Sequence, residues 1–312
     1  MIVITGAAGF IGSNLVKAFN QIGSYDIVAI DNLENGSKIH NLSDCIVSDF
    51  LDPNDLRSLH DYDISHVFHL GACSATDEWN GKFLLENNFT FSKSILEIAL
   101  KKSAKFVYAS SASVYGLGIN GFKEVPECER PINAYAYSKK IFDDFVRIKH
   151  RDSKNIFGLR YFNVYGKNED HKGHMASPVH KFYEQLINYG SINLFSGTEA
   201  LTSDKFVRDF ISVEDCVRVK LHLMDYEGPT AIFNVGTGKV ASFESIANML
   251  IKLNGSGKIE YIDFPKKLEK SYQFYTCADI NNLRNTGFSH DFISLREGVN
   301  KFYNDQTKLR KN

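Results

Sequence analysis

The sequence predicts an α/β fold: a doubly wound parallel sheet with a smaller, discontinuous C-terminal substrate domain. Three observations lead there. Short runs rich in β-branched residues recur without polar alternation, as in Ile2-Val3-Ile4, Ile27-Val28-Ala29-Ile30 and His66-Val67-Phe68-His69-Leu70, the pattern of strands buried on both faces. Between them lie stretches with helical apolar spacing, such as Ile11, Leu15, Val16 and Phe19, or Phe91, Ile95, Leu96 and Ala99. A glycine-rich turn separates the first strand from the first helix. Alternating units of this kind wind a parallel sheet, with ligands at the carboxyl ends of its strands.

Further strands are expected at Cys45-Ile46-Val47, Lys105 to Ala109 and Phe157 to Tyr161. After Gly166 the rhythm changes. A glycine- and histidine-containing loop, Asn168 to Ser177, leads to a helix around Val179 to Asn188. Phe210 to Val213 and Ile232 to Val235 read as short strands returning to the sheet. The resulting division is a dinucleotide-binding Rossmann domain over 1–165 and 206–238, and a substrate-binding domain over 166–205 and 239–312.

Gly6, Gly9 and Gly12 punctuate the first turn with Phe10 and Ile11 opening the helix. Glycines let the backbone approach a pyrophosphate, whose charge the helix N-terminus favours. The spacing is G-x-x-G-x-x-G rather than the G-x-G-x-x-G of many dehydrogenases. Asp31 ends the second strand about 20 residues on, where an acid binds ribose hydroxyls and repels a 2′-phosphate. Asn32 and Lys38 pull the other way, toward NADP, so NAD and NADP both stay open. Leu70, Gly71, Ala72, Cys73 and Ser74 follow the fourth strand and offer small residues beside a cofactor.

Chemistry enters with Tyr135 and Lys139, spaced to share one helix face. A phenol is a poor base at neutral pH, and a neighbouring ammonium favours the phenolate. Such a tyrosine can move a hydroxyl proton while a nicotinamide takes the hydride. Ser111, at the carboxyl end of the Lys105 to Ala109 strand, can hydrogen-bond the reacting oxygen.

The bulk properties exclude other classes. With 36 basic against 37 acidic residues in 312, there is no electrostatic case for nucleic acid or an anionic membrane surface. Five scattered cysteines form no metal-like spacing, and His171 and His174 alone are too few for a metal site; no metal is expected. Met1 runs directly into the first strand, which leaves no room for a signal peptide. A cytoplasmic protein is the expectation.

The glycine turn, Ser111, Tyr135 and Lys139, with Arg160 to Gly166, Arg208 to Asp215 and Phe233 to Gly238, resemble the extended short-chain dehydrogenase/reductase superfamily, which includes nucleotide-sugar epimerases and dehydratases. Dehydratases of that type carry Thr-Asp-Glu where this chain has Ser111-Ala112-Ser113, which disfavours dehydration. His171 to Ser177, with Gly71 to Lys82, is similar to the ADP-L-glycero-D-manno-heptose 6-epimerase family, which serves the lipopolysaccharide inner core. That resemblance implies an ADP-sugar substrate, a tightly held NADP and a homo-oligomer, a pentamer. It makes Lys172 a second acid/base beside Tyr135 and gives Lys139 the nicotinamide ribose. It adds Asn87 to the cofactor positions, and places Ser111, Asn163, Val164, His174, Lys181, Phe195, Ser196, Gly197, Thr198, Arg208 and Tyr272 at substrate positions. Arg208 suits a diphosphate because a guanidinium binds two oxygens at once; an ion pair with Asp209 or Asp215 is the structural alternative. The chain departs from the family at Pro53, where a lysine is expected, at His174 for a serine, at Lys181 for a histidine, and by an insertion around Leu201 to Ser203. Another nucleotide-sugar epimerase or reductase, such as a UDP-hexose 4-epimerase, is the enzymatic alternative; a non-catalytic dinucleotide sensor is the other.

Overall fold

The computed structural model describes residues 1–197, 202, 205–265 and 272–310. Chain order runs β1 (Ile2–Thr5), α1 (Phe10–Gln21), β2 (Ile27–Ile30), β3 (Asp49–Leu51), β4 (His66–His69), α2 (Gly81–Leu85), α3 (Phe91–Lys101), β5 (Lys105–Ser111), α4 (Ala134–Lys149) and β6 (Ile156–Tyr161). It continues with β7 (Asn163–Tyr165), α5 (Pro178–Tyr189), β8 (Ser191–Phe195), β9 (Val207–Ser212), α6 (Val213–Asp225), β10 (Ala231–Val235), β11 (Val240–Ser242), α7 (Phe243–Asn254), β12 (Lys258–Ile262), α8 (Asn281–Arg284) and α9 (Leu295–Leu309).

Seven strands form the main sheet in the order β10-β6-β5-β4-β1-β2-β3. The pairs from β6 through β3 are parallel, so the predicted doubly wound sheet is present. Strand order reverses between β1 and β4, and ligands of such sheets bind at the carboxyl ends beside that reversal. Its core is built by Val3, Val28, Val67, Phe106 and Ile156 from the strands with Ile95, Ala99 and Phe142 from the helices. The all-apolar strands are thus explained by burial on two faces.

The described chain forms two compact units. One comprises Met1–Val114, Pro131–Tyr161 and Cys216–Phe233; the other Tyr115–Arg130, Phe162–Asp215 and Asn234–Asn312. In the second, β9 pairs with β11 antiparallel and with β7 parallel, β12 pairs with β8, and α5, α7 and α9 supply Val179, Tyr183, Ile246, Leu250, Val299 and Phe302 to a separate core.

Two strand expectations are corrected. Phe210 to Ser212 belongs to β9 in the three-stranded sheet, not to the main sheet; its apolar run satisfies either environment, and the partner strands are far away in sequence. Only β10 of the two expected strands returns. The third strand of the main sheet is β3, while Cys45 to Val47 lie outside any strand, with Ile46 60% exposed. Among the described residues no helix is long and apolar enough to cross a membrane.

Candidate active site

In the first unit, the glycine turn closes against the segment after β4. A Cβ on Gly6, whose φ is +66°, would sit 2.7 Å from the Gly71 amide nitrogen, and one on Gly12 would sit 2.0 Å from the Gly6 carbonyl oxygen. Neither position accepts a side chain. Helix α1 starts at Gly9 with no side-chain cap and no acid in its first turn, and a helix start without its own anion suits a bound phosphate. The turn therefore fits a dinucleotide. Phe10 is buried and Ile11 half-buried at this helix start. Asp31 is buried and accepts from the Ala8 amide at 2.8 Å and from Lys38 Nζ at 3.0 Å. Lys38 also donates to the Asn32 carbonyl at 2.9 Å, while the Asn32 side chain accepts from the Glu34 amide at 2.7 Å. The acid expected to repel a 2′-phosphate thus carries its own countercharge.

Leu70 to Ser74 are held by β1 and by a residue sequence reasoning passed over. Leu70 and Gly71 amides donate to the Thr5 carbonyl and hydroxyl at 3.1 and 2.9 Å. Asn88 accepts from the Cys73 amide at 2.8 Å, donates to the Cys73 carbonyl at 3.0 Å and to Ser138 Oγ at 2.9 Å. Asn87, expected at the cofactor, donates to the Phe83 carbonyl of its own helix at 2.8 Å. The two lie in a π-helical turn, Glu86–Thr90, a device common at functional sites. Beneath them His69 is clamped between Thr5 Oγ1 at 2.7 Å and Ser92 Oγ at 2.8 Å; burial, then the Lys139 charge, lowers its pKa to about 3, so it is neutral.

Asn133 caps α4 by accepting from the Ala136 amide, which sets Tyr135 and Lys139 one turn apart and inside the unit. Ser111 faces Tyr135 and favours its phenolate, and its Oγ accepts from Ser113 Oγ at 2.9 Å. Burial pushes the phenol up and Ser111 opposes this. Lys139 directs its ammonium at the Ala109 carbonyl at 3.0 Å. Burial lowers Lys139 to about 8, against the pull of Asp143. Asp143, one further turn along, accepts from Tyr108 at 3.0 Å, Ser110 at 2.9 Å and Arg160 Nε and Nη2 at 3.0 and 2.8 Å. Both members of that ion pair are fully buried.

In the second unit, β7 leads into the loop that carries Lys172 and His174. Lys172 is half-buried and His174 exposed; burial lowers the Lys172 pKa and the Glu169 charge raises it. Lys181 is half-buried on α5, and Val164 half-buried in β7. Asn163 donates to the Asp209 carbonyl and Thr276 Oγ1, both at 3.2 Å. The Arg208 guanidinium lies 5.0 Å over the Tyr272 ring and hydrogen-bonds its hydroxyl, and its Nε has no hydrogen-bond partner among the described residues. Asp209 is not its partner, since that carboxylate accepts from Thr237 twice, from Gly238 and from Ala278. Phe195 packs edge-on to Phe264 and Tyr272, at 5.0 and 6.4 Å. Ser196 is exposed, its amide bonded to Ile262, and Gly197 bridges to Thr202. Thr198, Leu201 and Ser203 lie outside the described residues.

The model of the NAD dependent epimerase/dehydratase family matches residues 2–236. The chain belongs to that family. Its relatives include an ADP-L-glycero-D-manno-heptose-6-epimerase of Alkalilimnicola ehrlichii, 46% identical over 97% of this chain and 96% of that protein. Among solved structures, the ADP-L-glycero-D-manno-heptose-6-epimerase of Helicobacter pylori is 29% identical with a TM-score of 0.85, covering 97% of this chain and 95% of that one. The UDP-glucose 4-epimerase of Thermotoga maritima is 27% identical with a TM-score of 0.83, covering 99% of both. Within this epimerase/dehydratase chain, Asn88 and Asp143 are buried polar residues that no motif singled out, and Glu169 is one whose role its motif did not show. Asn88 and Asp143 work through partners distant in sequence, whereas Glu169 accepts from Gly166 and Ser177 within its own loop.

Proposed function

We propose that the protein interconverts ADP-D-glycero- and ADP-L-glycero-D-manno-heptose by transient oxidation and re-reduction at C6, supplying lipopolysaccharide inner-core precursors in the cytoplasm. The observation that carries this is the near full-length 46% identity to a protein of that name, in a chain that has Tyr135, Lys139, Ser111 and the Lys172 loop together. A nicotinamide held by the glycine turn and Lys139 would supply reversible hydride transfer at C6, with no net consumption of cofactor.

The chain's own residues handle the proton. Burial keeps the Tyr135 phenol protonated at neutral pH, which suits it to donate to a ketone oxygen, while Ser111 holds that oxygen. Lys172, shifted down by burial against the pull of Glu169, is the second proton-transfer group; two groups serve two epimers because the hydroxyl lies on opposite sides of the carbon. Lys139 binds the nicotinamide ribose. Arg208 and Tyr272 take the diphosphate end. The Lys38–Asp31 pair supports NADP over NAD, since the carboxylate that would repel a 2′-phosphate is neutralised. The assembly is a homopentamer, testable by light scattering.

Incubation with ADP-D-glycero-D-manno-heptose, with C6 followed by NMR, should yield the second epimer; a cofactor-loaded preparation that produces none refutes the proposal. The likeness to a UDP-glucose 4-epimerase makes UDP-hexoses the comparison substrates, expected to turn over poorly. Mass analysis of nucleotide released on denaturation separates NADP from NAD.

A further inference from the structure

We infer that Glu169 is the positioning residue for Lys172: its carboxylate staples together the two ends of the loop that presents the lysine and sets a negative charge against the ammonium. This rests on the reading of Lys172 as an acid/base group. Glu169 is fully buried, and a buried carboxylate is costly unless donors surround it. Three do. The Gly166 amide at the loop's start donates to Oε1 at 3.0 Å; at the loop's end the Ser177 hydroxyl donates to Oε1 at 2.8 Å and the Ser177 amide to Oε2 at 2.6 Å.

Ser177 in turn caps α5, its Oγ accepting from the His180 amide at 3.3 Å. One side chain therefore joins the end of β7 to the start of α5. The lysine hangs from this staple through the backbone, with the Lys172 amide donating to the Glu169 carbonyl at 2.9 Å and the Ala176 amide to the Gly173 carbonyl at 3.1 Å. Loop residues anchored only at their ends are poorly placed for proton transfer unless the ends are fixed. Electrostatically Glu169 favours the ammonium while burial opposes it. The adjacent acid, Asp170, is exposed and faces His180 Nε2 at 3.9 Å. Glu169 thus counters the burial that disfavours the Lys172 ammonium.

The test compares Glu169→Gln, Lys172→Met and the double variant as cofactor-loaded enzymes, with kcat and KM for the ADP-heptose measured across pH. Reductive ¹³C-methylation with NMR titration reads the Lys172 ionisation independently of activity, and Lys172→Met assigns its signal. Glu169→Gln should lower kcat about 100-fold with little change in KM, and move the Lys172 titration to lower pH. The double variant should be no slower than Lys172→Met alone. If Glu169→Gln does not fold, Ser177→Ala, which keeps the carboxylate and both amide donors, should lower kcat about tenfold with KM unchanged. Unaltered kcat and titration in whichever variant folds, or losses that multiply in the double variant, overturn the proposal. Full activity in Lys172→Met overturns the reading of Lys172 itself, and the Lys172 titration in Glu169→Gln then still reports the effect of the Glu169 charge.

Discussion

Asp143→Ala is the sharpest perturbation of the helix that carries Tyr135 and Lys139. The Asp143 carboxylate is fully buried and accepts four hydrogen bonds, two of them from the equally buried Arg160. Removing one partner of a buried ion pair costs about 3–5 kcal/mol, because the remaining charge is stranded. Two hydroxyls, of Tyr108 and Ser110, lose their acceptor at about 1 kcal/mol each. These terms overlap within one network, so a loss of about 4–6 kcal/mol is expected. Asp143→Asn retains an acceptor for Arg160 and should cost roughly half as much. Urea unfolding followed by circular dichroism measures both. The double replacement Asp143→Leu with Arg160→Met should be more stable than Asp143→Ala, since no charge is left unpaired. Lys139 should also titrate below its value of about 8, because Asp143 is the charge that raises it. An Asp143→Ala loss under about 1 kcal/mol, or a double variant as weak as that single one, would refute the reasoning.

Three further outcomes follow from the same geometry. Lys220 is fully buried over the Tyr161 ring, and burial lowers it to about 8. The unfolded chain then binds the extra proton between about pH 8 and 10.4, so stability rises with pH across that window; Lys220→Met should flatten the rise and add about 1–3 kcal/mol at pH 7, as urea midpoints at several pH values would reveal. Gly12→Ala places a Cβ 2.0 Å from the Gly6 carbonyl oxygen, and nucleotide released per protein should fall at least about tenfold; normal nucleotide content would contradict the cradle. Tyr135→Phe should reduce kcat by about 100- to 10,000-fold with KM nearly unchanged, and normal turnover would remove Tyr135 from proton transfer.

What could be read in advance was what depends on neighbours in sequence. Apolar runs predicted β1, β2, β4, β5, β6 and β10 because buried strands leave their mark residue by residue, and the glycine spacing predicted the turn after β1. Partnership was less legible. The β9 run suits any buried sheet, and only its pairing with β7 and β11 decides which. Arg208 offered Asp209 or Asp215 as an ion-pair partner, yet the four donors around the Asp209 carboxylate come from residues 237, 238 and 278, and the guanidinium lies over the Tyr272 ring. Lys139 illustrates another limit: spacing puts it on one helix face with Tyr135, but only the fold shows that its ammonium meets the Ala109 carbonyl.

The π turn at Glu86–Thr90 carries a lesson about register. An α-helix advances about 100° per residue, and one turn widened by a residue shifts the phase of all that follows. Here the shift brings Asn88, rather than Asn87, to the Cys73 backbone and Ser138. Deleting a single residue from the turn would restore regular winding and rotate that amide away, without changing any side chain that touches it. In this stretch the arrangement of the site is encoded in the length of the chain as much as in its chemistry.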